Sequence, residues 1–177
     1  MVEQLAAEEG IRIRSRECHS LVGRGSIGGE RVIVALPQTY MNASGEAVSA
    51  LCKKNGIDPS GLCVVYDDID LPLGTLRMRA RGSAGGQKGM ASIIAHLQTS
   101  DVPRLRVGVR GERYVRGERD LGDYVLEPFA KGERELLETA VGRAVEALQL
   151  WLGPGIESAM MRANQKPSSP GPASDPD

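Results

Sequence analysis

Two hydrophobic rhythms divide this chain. Apolar residues at Ala47, Val48, Leu51 and Cys52 recur at helical spacing and predict a helix over Ser44–Asn55, which Asn55-Gly56 ends. The same spacing at Leu136, Leu137, Ala140, Val141, Ala144, Val145 and Leu148 predicts a longer helix over Lys131–Leu152. Gly153-Pro154-Gly155 breaks it, and a last helix runs to about Asn164. Short helices are expected at residues 1 to 9 and over Met90–Leu97. Strands follow the period of two. Val32–Leu36 and Leu62–Tyr66 are compact apolar runs, and Ile11–Val22 reads as an exposed strand, with Gly28-Gly29 turning the chain into the next. Leu76, Met78 and Ala80 alternate with Arg77, Arg79 and Arg81 over Thr75–Arg81. Leu105, Val107 and Val109 stand opposite Arg104, Arg106 and Arg110.

Because strands and helices alternate, the expected fold is α/β: a single-domain three-layer sandwich with a mixed central β-sheet flanked by helices, over residues 1–165. The tail, residues 166–177, holds four prolines and three serines and is expected to be disordered.

Composition narrows the class. The 177 residues are 41% hydrophobic and 25% charged, a soluble globular balance in which scarce aromatics leave the core to Val, Ile, Leu and Ala. No apolar run approaches a membrane span, and no signal pattern opens the chain. Cys18, Cys52 and Cys63 are far apart and odd in number, which suits reduced thiols and a cytoplasmic setting. No metal site is expected, since the two His stand apart from any ligand cluster. The net charge of −1 hides an asymmetry. Ten basic residues between Arg77 and Arg119 face only three acids, a surplus that suits a polyanion such as nucleic acid, or else a solvated face.

Candidate chemistry gathers at strand ends. The segment Leu36-Pro37-Gln38-Thr39-Tyr40-Met41-Asn42 places an aromatic and an amide after a buried strand, where open α/β folds usually bind ligands. Tyr66-Asp67-Asp68-Ile69-Asp70 carries three carboxylates, either a polar turn or an acid/base group. Gly82–Gly89 is a phosphate loop or a lid without the spacing of a P-loop. His19 and His96 read as structural or surface residues.

Together the words PQTYMNASGEAV, VVYDDIDLPLG, GSAGGQKGMASIIAHL, PRLRVGVRG and DYVLEPF, in that order, resemble the bacterial-type peptidyl-tRNA hydrolases, from residue 1 to about 165. The resemblance implies a monomeric, cofactor-free and metal-free enzyme that hydrolyses the ester between a peptide and the 3′ end of tRNA. It implies substrate-binding roles for Tyr40 and Asn42, and for Asp67 the role of a carboxylate orienting a catalytic His. Arg79 and Arg106 match positions that clamp an acceptor-stem phosphate, and Lys88 stands where the family has an Asn, so it donates but cannot accept. The family's opening strand, Gly-Asn-Pro-Gly turn and Arg-His-Asn segment do not occur, and neither His19 nor His96 matches the catalytic position. Two expectations follow: a start codon placed too late, or a truncated member, the latter allowing a catalytically inactive RNA-binding relative.

Overall fold

The computed structural model describes residues 1–111, 114 and 128–166. Their order is α1 (Val2–Glu8), β1 (Ser15–Glu17), β2 (Ser20–Ile27), β3 (Glu30–Pro37), α2 (Ser44–Asn55), β4 (Val64–Pro72), β5 (Leu76–Arg79), α3 (Lys88–Leu97), β6 (Arg104–Arg110), α4 (Lys131–Leu152) and α5 (Ile156–Ala163). The expected tail lies almost wholly outside the described residues.

Local chemistry accounts for most boundaries. Gly28 and Gly29 both take positive φ, +58° and +88°, so the β2–β3 hairpin turns in two residues with the twist its strands need. The β1–β2 hairpin turns through Cys18 and His19, whose φ of 46° and 56° is costly for residues with a Cβ. That turn divides the segment Ile11–Val22, expected as one strand, between three-residue β1 and the start of eight-residue β2. Helix α2 stops at Gly56, whose left-handed backbone lets its N–H donate to the Cys52 carbonyl. At α3 the Gln87 side chain accepts from the Met90 N–H at 2.6 Å and caps the helix start.

The sheet departs from a single continuous one. Antiparallel β1-β2-β3 forms one three-stranded sheet, and β4-β6-β5 forms another. The second is mixed, because β6 runs parallel to β4 and antiparallel to β5. Among the described residues, strand β3 pairs only with β2, and β4 only with β6, so each keeps one edge without a partner strand there. The opposite edge of the second sheet is covered: the Asn164 side chain accepts from the Met78 N–H at 2.8 Å and donates to its carbonyl at 3.1 Å.

Helices cover both faces, as the three-layer expectation requires. Leu76, Met78, Leu105 and Val107 pack with Ala140, Ala144, Leu148 and Ala159 of α4 and α5. On the other face Val48 and Cys52 of α2 meet Met90 and Ile93 of α3 and Val102. Alternation along β5 and β6 thus sends Leu and Val to the first core and the arginines to the α2–α3 side. Among the described residues, no helix is long and apolar enough to cross a membrane.

Candidate active site

Between the two sheets lies a cleft of about 400 Å³. Residues 32–37 and 62–67 line it without a break, as strands do when they present an edge rather than a face. Its body is apolar, closed by Leu51, Met90, Ile93, Leu148 and Trp151. Its polar residues gather at one end: Thr39 and Ser44 after β3, Asp67 within β4, and Gln87 before α3, with Met41 among them. The carboxyl end of β3, the middle of β4 and the amino end of α3 therefore meet at one mouth, a concave setting in which polar groups converge on an apolar cleft.

The segment Tyr40–Asn42 stands at that mouth. Tyr40 is 87% exposed and Met41 53%, and Asn42 is exposed as well. A short 3-10 turn over Met41–Ala43 holds them, closed by the Ala43 N–H on the Tyr40 carbonyl at 2.9 Å. Helix α3 buttresses the turn closely. Gly45 donates its N–H to the buried Ser92 hydroxyl at 3.0 Å, and a Cβ on Gly45 would come within 2.2 Å of the Ser92 carbonyl. A Cβ on Gly89 would lie 2.6 Å from the Met41 sulfur, which also accepts from Gln87 Nε2 at 3.4 Å. Lys88, exposed as the first residue of α3, sits between Gln87 and Gly89 and so beside the same turn.

Residues 66 to 70, which sequence left between a polar turn and an acid/base group, run inside strand β4. Strand geometry sends Asp67 and Asp68 to opposite faces. Asp67, exposed at the mouth, is the carboxylate that lines the cleft among the described residues. Asp68 points the other way, and its Oδ2 accepts from Arg106 Nε at 2.5 Å. That carboxylate raises the Arg106 guanidinium above its usual range, whereas burial raises the Tyr66 phenol beside it.

The arginine faces of β5 and β6 coincide, with Arg77 opposite Arg106 and Arg79 opposite Arg104. Arg79 is exposed and Arg106 partly so. Arg104, expected on a solvated or polyanion-binding face, is instead 2% exposed. Its guanidinium donates to the carbonyls of Val102, Gly82, Ser83 and Ser100 at 2.5 to 3.0 Å and fixes the base of the glycine loop. Burial lowers its pKa from the usual guanidinium value. Nothing in the local alternation separates Arg104 from Arg106; the difference comes from the Val102 and Ser100 carbonyls just before Arg104 together with those of Gly82 and Ser83 some twenty residues earlier.

Both histidines are placed away from the cleft lining. His19 is exposed in the β1–β2 turn, and its carbonyl accepts from the Gln38 N–H at 2.8 Å. His96 sits near the end of α3, where Nδ1 donates to the Ser92 carbonyl at 2.9 Å. Among the described residues, no three His, Cys, Asp or Glu side chains are arranged to hold a metal ion.

Comparison with known proteins bears on what this arrangement does. Residues 1–170 match the family described as peptidyl-tRNA hydrolase. A peptidyl-tRNA hydrolase of Carboxydothermus hydrogenoformans is 46% identical over 165 residues, 93% of this chain and 86% of its own length. One from Chloroflexus aurantiacus is 46% identical over 92% of this chain and 86% of its own. The crystal structure of a peptidyl-tRNA hydrolase from Acinetobacter baumannii superposes with a TM-score of 0.85 at 30% identity, covering 92% of this chain and 82% of that one. A peptidyl-tRNA hydrolase crystallised with n-propanol gives the same TM-score at 32% identity, over 94% of this chain and 84% of that one.

Proposed function

The chain belongs to the peptidyl-tRNA hydrolase family, and we propose that it hydrolyses the ester joining a peptide to the 3′ end of tRNA. The observation that supports this reading is that Met41, Asp67 and Gln87 line one mouth of the cleft, with Tyr40 and Asn42 flanking Met41 in the chain and Lys88 following Gln87. An ester whose two sides are a peptide and a nucleotide needs both apolar contact and hydrogen-bond donors, and the mouth supplies both. The exposed Tyr40 ring offers a stacking surface for the terminal base, and the Asn42 amide can donate to a carbonyl while accepting from a hydroxyl.

In the hydrolysis, water adds to the ester carbonyl, and the 3′ oxygen of the tRNA leaves as the peptide departs as its acid. We place the attacking water at the Asp67 end of the mouth, where the family pattern has this carboxylate orient a His that passes the water's proton to the leaving 3′ oxygen; neither His19 nor His96 lines that mouth. Lys88 brings a positive charge to the start of α3, where the helix dipole already favours an anion. Arg79 and Arg106 hold phosphate on the sheet face opposite Asp67, contacts that position tRNA without reading its sequence. No organic cofactor or metal enters these steps.

Two variants test the roles. Asp67→Asn should lower single-turnover cleavage of a model peptidyl-tRNA while tRNA affinity stays near wild type. Asn42→Ala should weaken the response to the substrate's esterified end. Equal cleavage by wild type and Asp67→Asn would remove Asp67 from the mechanism.

A further inference from the structure

We propose that Asp68 is a positioning residue for tRNA binding: it holds Arg106 by Nε so that the Nη end of the guanidinium is presented to phosphate. The proposal rests on the reading of the chain as one that binds peptidyl-tRNA. The carboxylate is itself fixed. Its Oδ1 accepts from the Asp70 N–H at 2.8 Å while Oδ2 accepts from Arg106 Nε, so the backbone of β4 orients it from one side. The pair is graded in depth: the Asp68 side chain is 11% exposed and that of Arg106 29%, so an anion approaching from solvent meets the arginine first. Among the described residues the guanidinium bonds through Nε, and we assign the Nη pair of the fork to phosphate.

Asp68 also offsets a repulsion. Arg77 lies directly opposite Arg106 across the β5–β6 ladder, where like charges push each other away. Without the carboxylate, Arg106 would swing among many rotamers and away from Arg77, and binding phosphate would have to freeze that freedom. The competing account is simple neutralisation, in which Asp68 only cancels a charge that polyanions would otherwise feel. The two accounts predict opposite signs. Removing a carboxylate adds positive charge, so neutralisation predicts tighter tRNA binding and positioning predicts weaker binding.

The experiment measures tRNA binding by the full chain over a range of salt, for wild type, Asp68→Ala, Asp68→Asn, Arg106→Ala and the double variant Asp68→Ala/Arg106→Ala. Asp68→Ala should weaken binding by about two- to tenfold despite the gained charge. Asp68→Asn should lose less, because its amide oxygen still accepts from Nε. Arg106→Ala should reduce the salt slope by about one, and the double variant should bind no worse than Arg106→Ala alone. If Asp68→Ala does not fold, the intermediate affinity of Asp68→Asn carries the same test. Binding by either Asp68 variant equal to or tighter than wild type, or additive losses in the double variant, would overturn the proposal alone. A wild-type chain that binds no tRNA would overturn the reading beneath it as well.

Discussion

Gly45→Ala is the sharpest structural perturbation available near the mouth. The added methyl would stand 2.2 Å from the Ser92 carbonyl oxygen and 2.5 Å from His96 Nδ1. The first contact is backbone, so α2 and α3 must part by roughly 1 Å to restore a normal separation. Overpacking of this kind costs about 1–3 kcal/mol. Parting the helices also breaks the 3.0 Å bond from the Gly45 N–H to Ser92, leaving a buried donor at a further cost of about 1 kcal/mol. Alanine's better helix propensity returns about 0.5–1 kcal/mol. The net loss is about 2 kcal/mol, or about 4–8 °C in Tm for a chain of this size. Because the Met41–Ala43 turn leads directly into α2, the same shift moves Asn42, and cleavage should fall along with stability. Thermal unfolding and single-turnover cleavage are measured together, with Ser92→Ala as the control that loses only the hydrogen bond. A Gly45→Ala variant that melts and cleaves like wild type would refute the close approach of the two helices.

Three further outcomes follow from particular contacts. Glu17 pairs with Arg24 and with Lys54 Nζ at 2.6 Å, and these partners, Arg24 foremost, lower its pKa from 4.5 to about 2. A carboxylate depressed in the folded state adds stability above its unfolded pKa and loses it as pH falls, so Glu17→Gln should flatten the decline in urea stability between pH 4.5 and 2 and leave no such difference in slope above that window. Arg104→Met should cost about 3 kcal/mol in urea unfolding by stranding four carbonyls, and Arg104→Lys should not restore it, because a single ammonium cannot reach all four. Trp151, the chain's one tryptophan, lines the cleft, so its emission should shift as an apolar dye such as ANS enters, and Val34→Lys should abolish the shift.

How much of this was legible beforehand depended on where each signal lay. Helices α2 and α4 match their expected bounds, because an unbroken apolar stripe ran up to Gly56 in one and to Gly153-Pro154 in the other. The β1–β2 turn was hidden, since Cys18-His19 carries no Asn or Gly to announce a positive φ. Strand β4 was expected to stop at Tyr66, because three aspartates and Pro72 resemble turn residues. Asp67 and Asp70 are tolerated there because they are exposed, and Asp68 because Arg106 pairs with it. The arginine faces were visible as alternation, but which arginine is buried depends on the distant Gly82 and Ser83 carbonyls. The candidate site residues rest on resemblance: periodicity does not distinguish Asn42 or Asp67 from any other exposed polar residue. The division of the sheet and the cleft between its parts are tertiary facts that no local pattern carries.

The most direct test of the account is single-turnover hydrolysis of a model peptidyl-tRNA by wild type and Asp67→Asn, with tRNA affinity measured alongside. The account predicts ester cleavage by wild type and a loss of about 10²-fold or more in Asp67→Asn, at nearly unchanged tRNA affinity, because a base left without its orienting carboxylate forfeits much of the roughly 10²–10⁴-fold that general-base catalysis contributes. Cleavage by Asp67→Asn at the wild-type rate, or a wild-type chain that binds tRNA and leaves the ester intact, would contradict it.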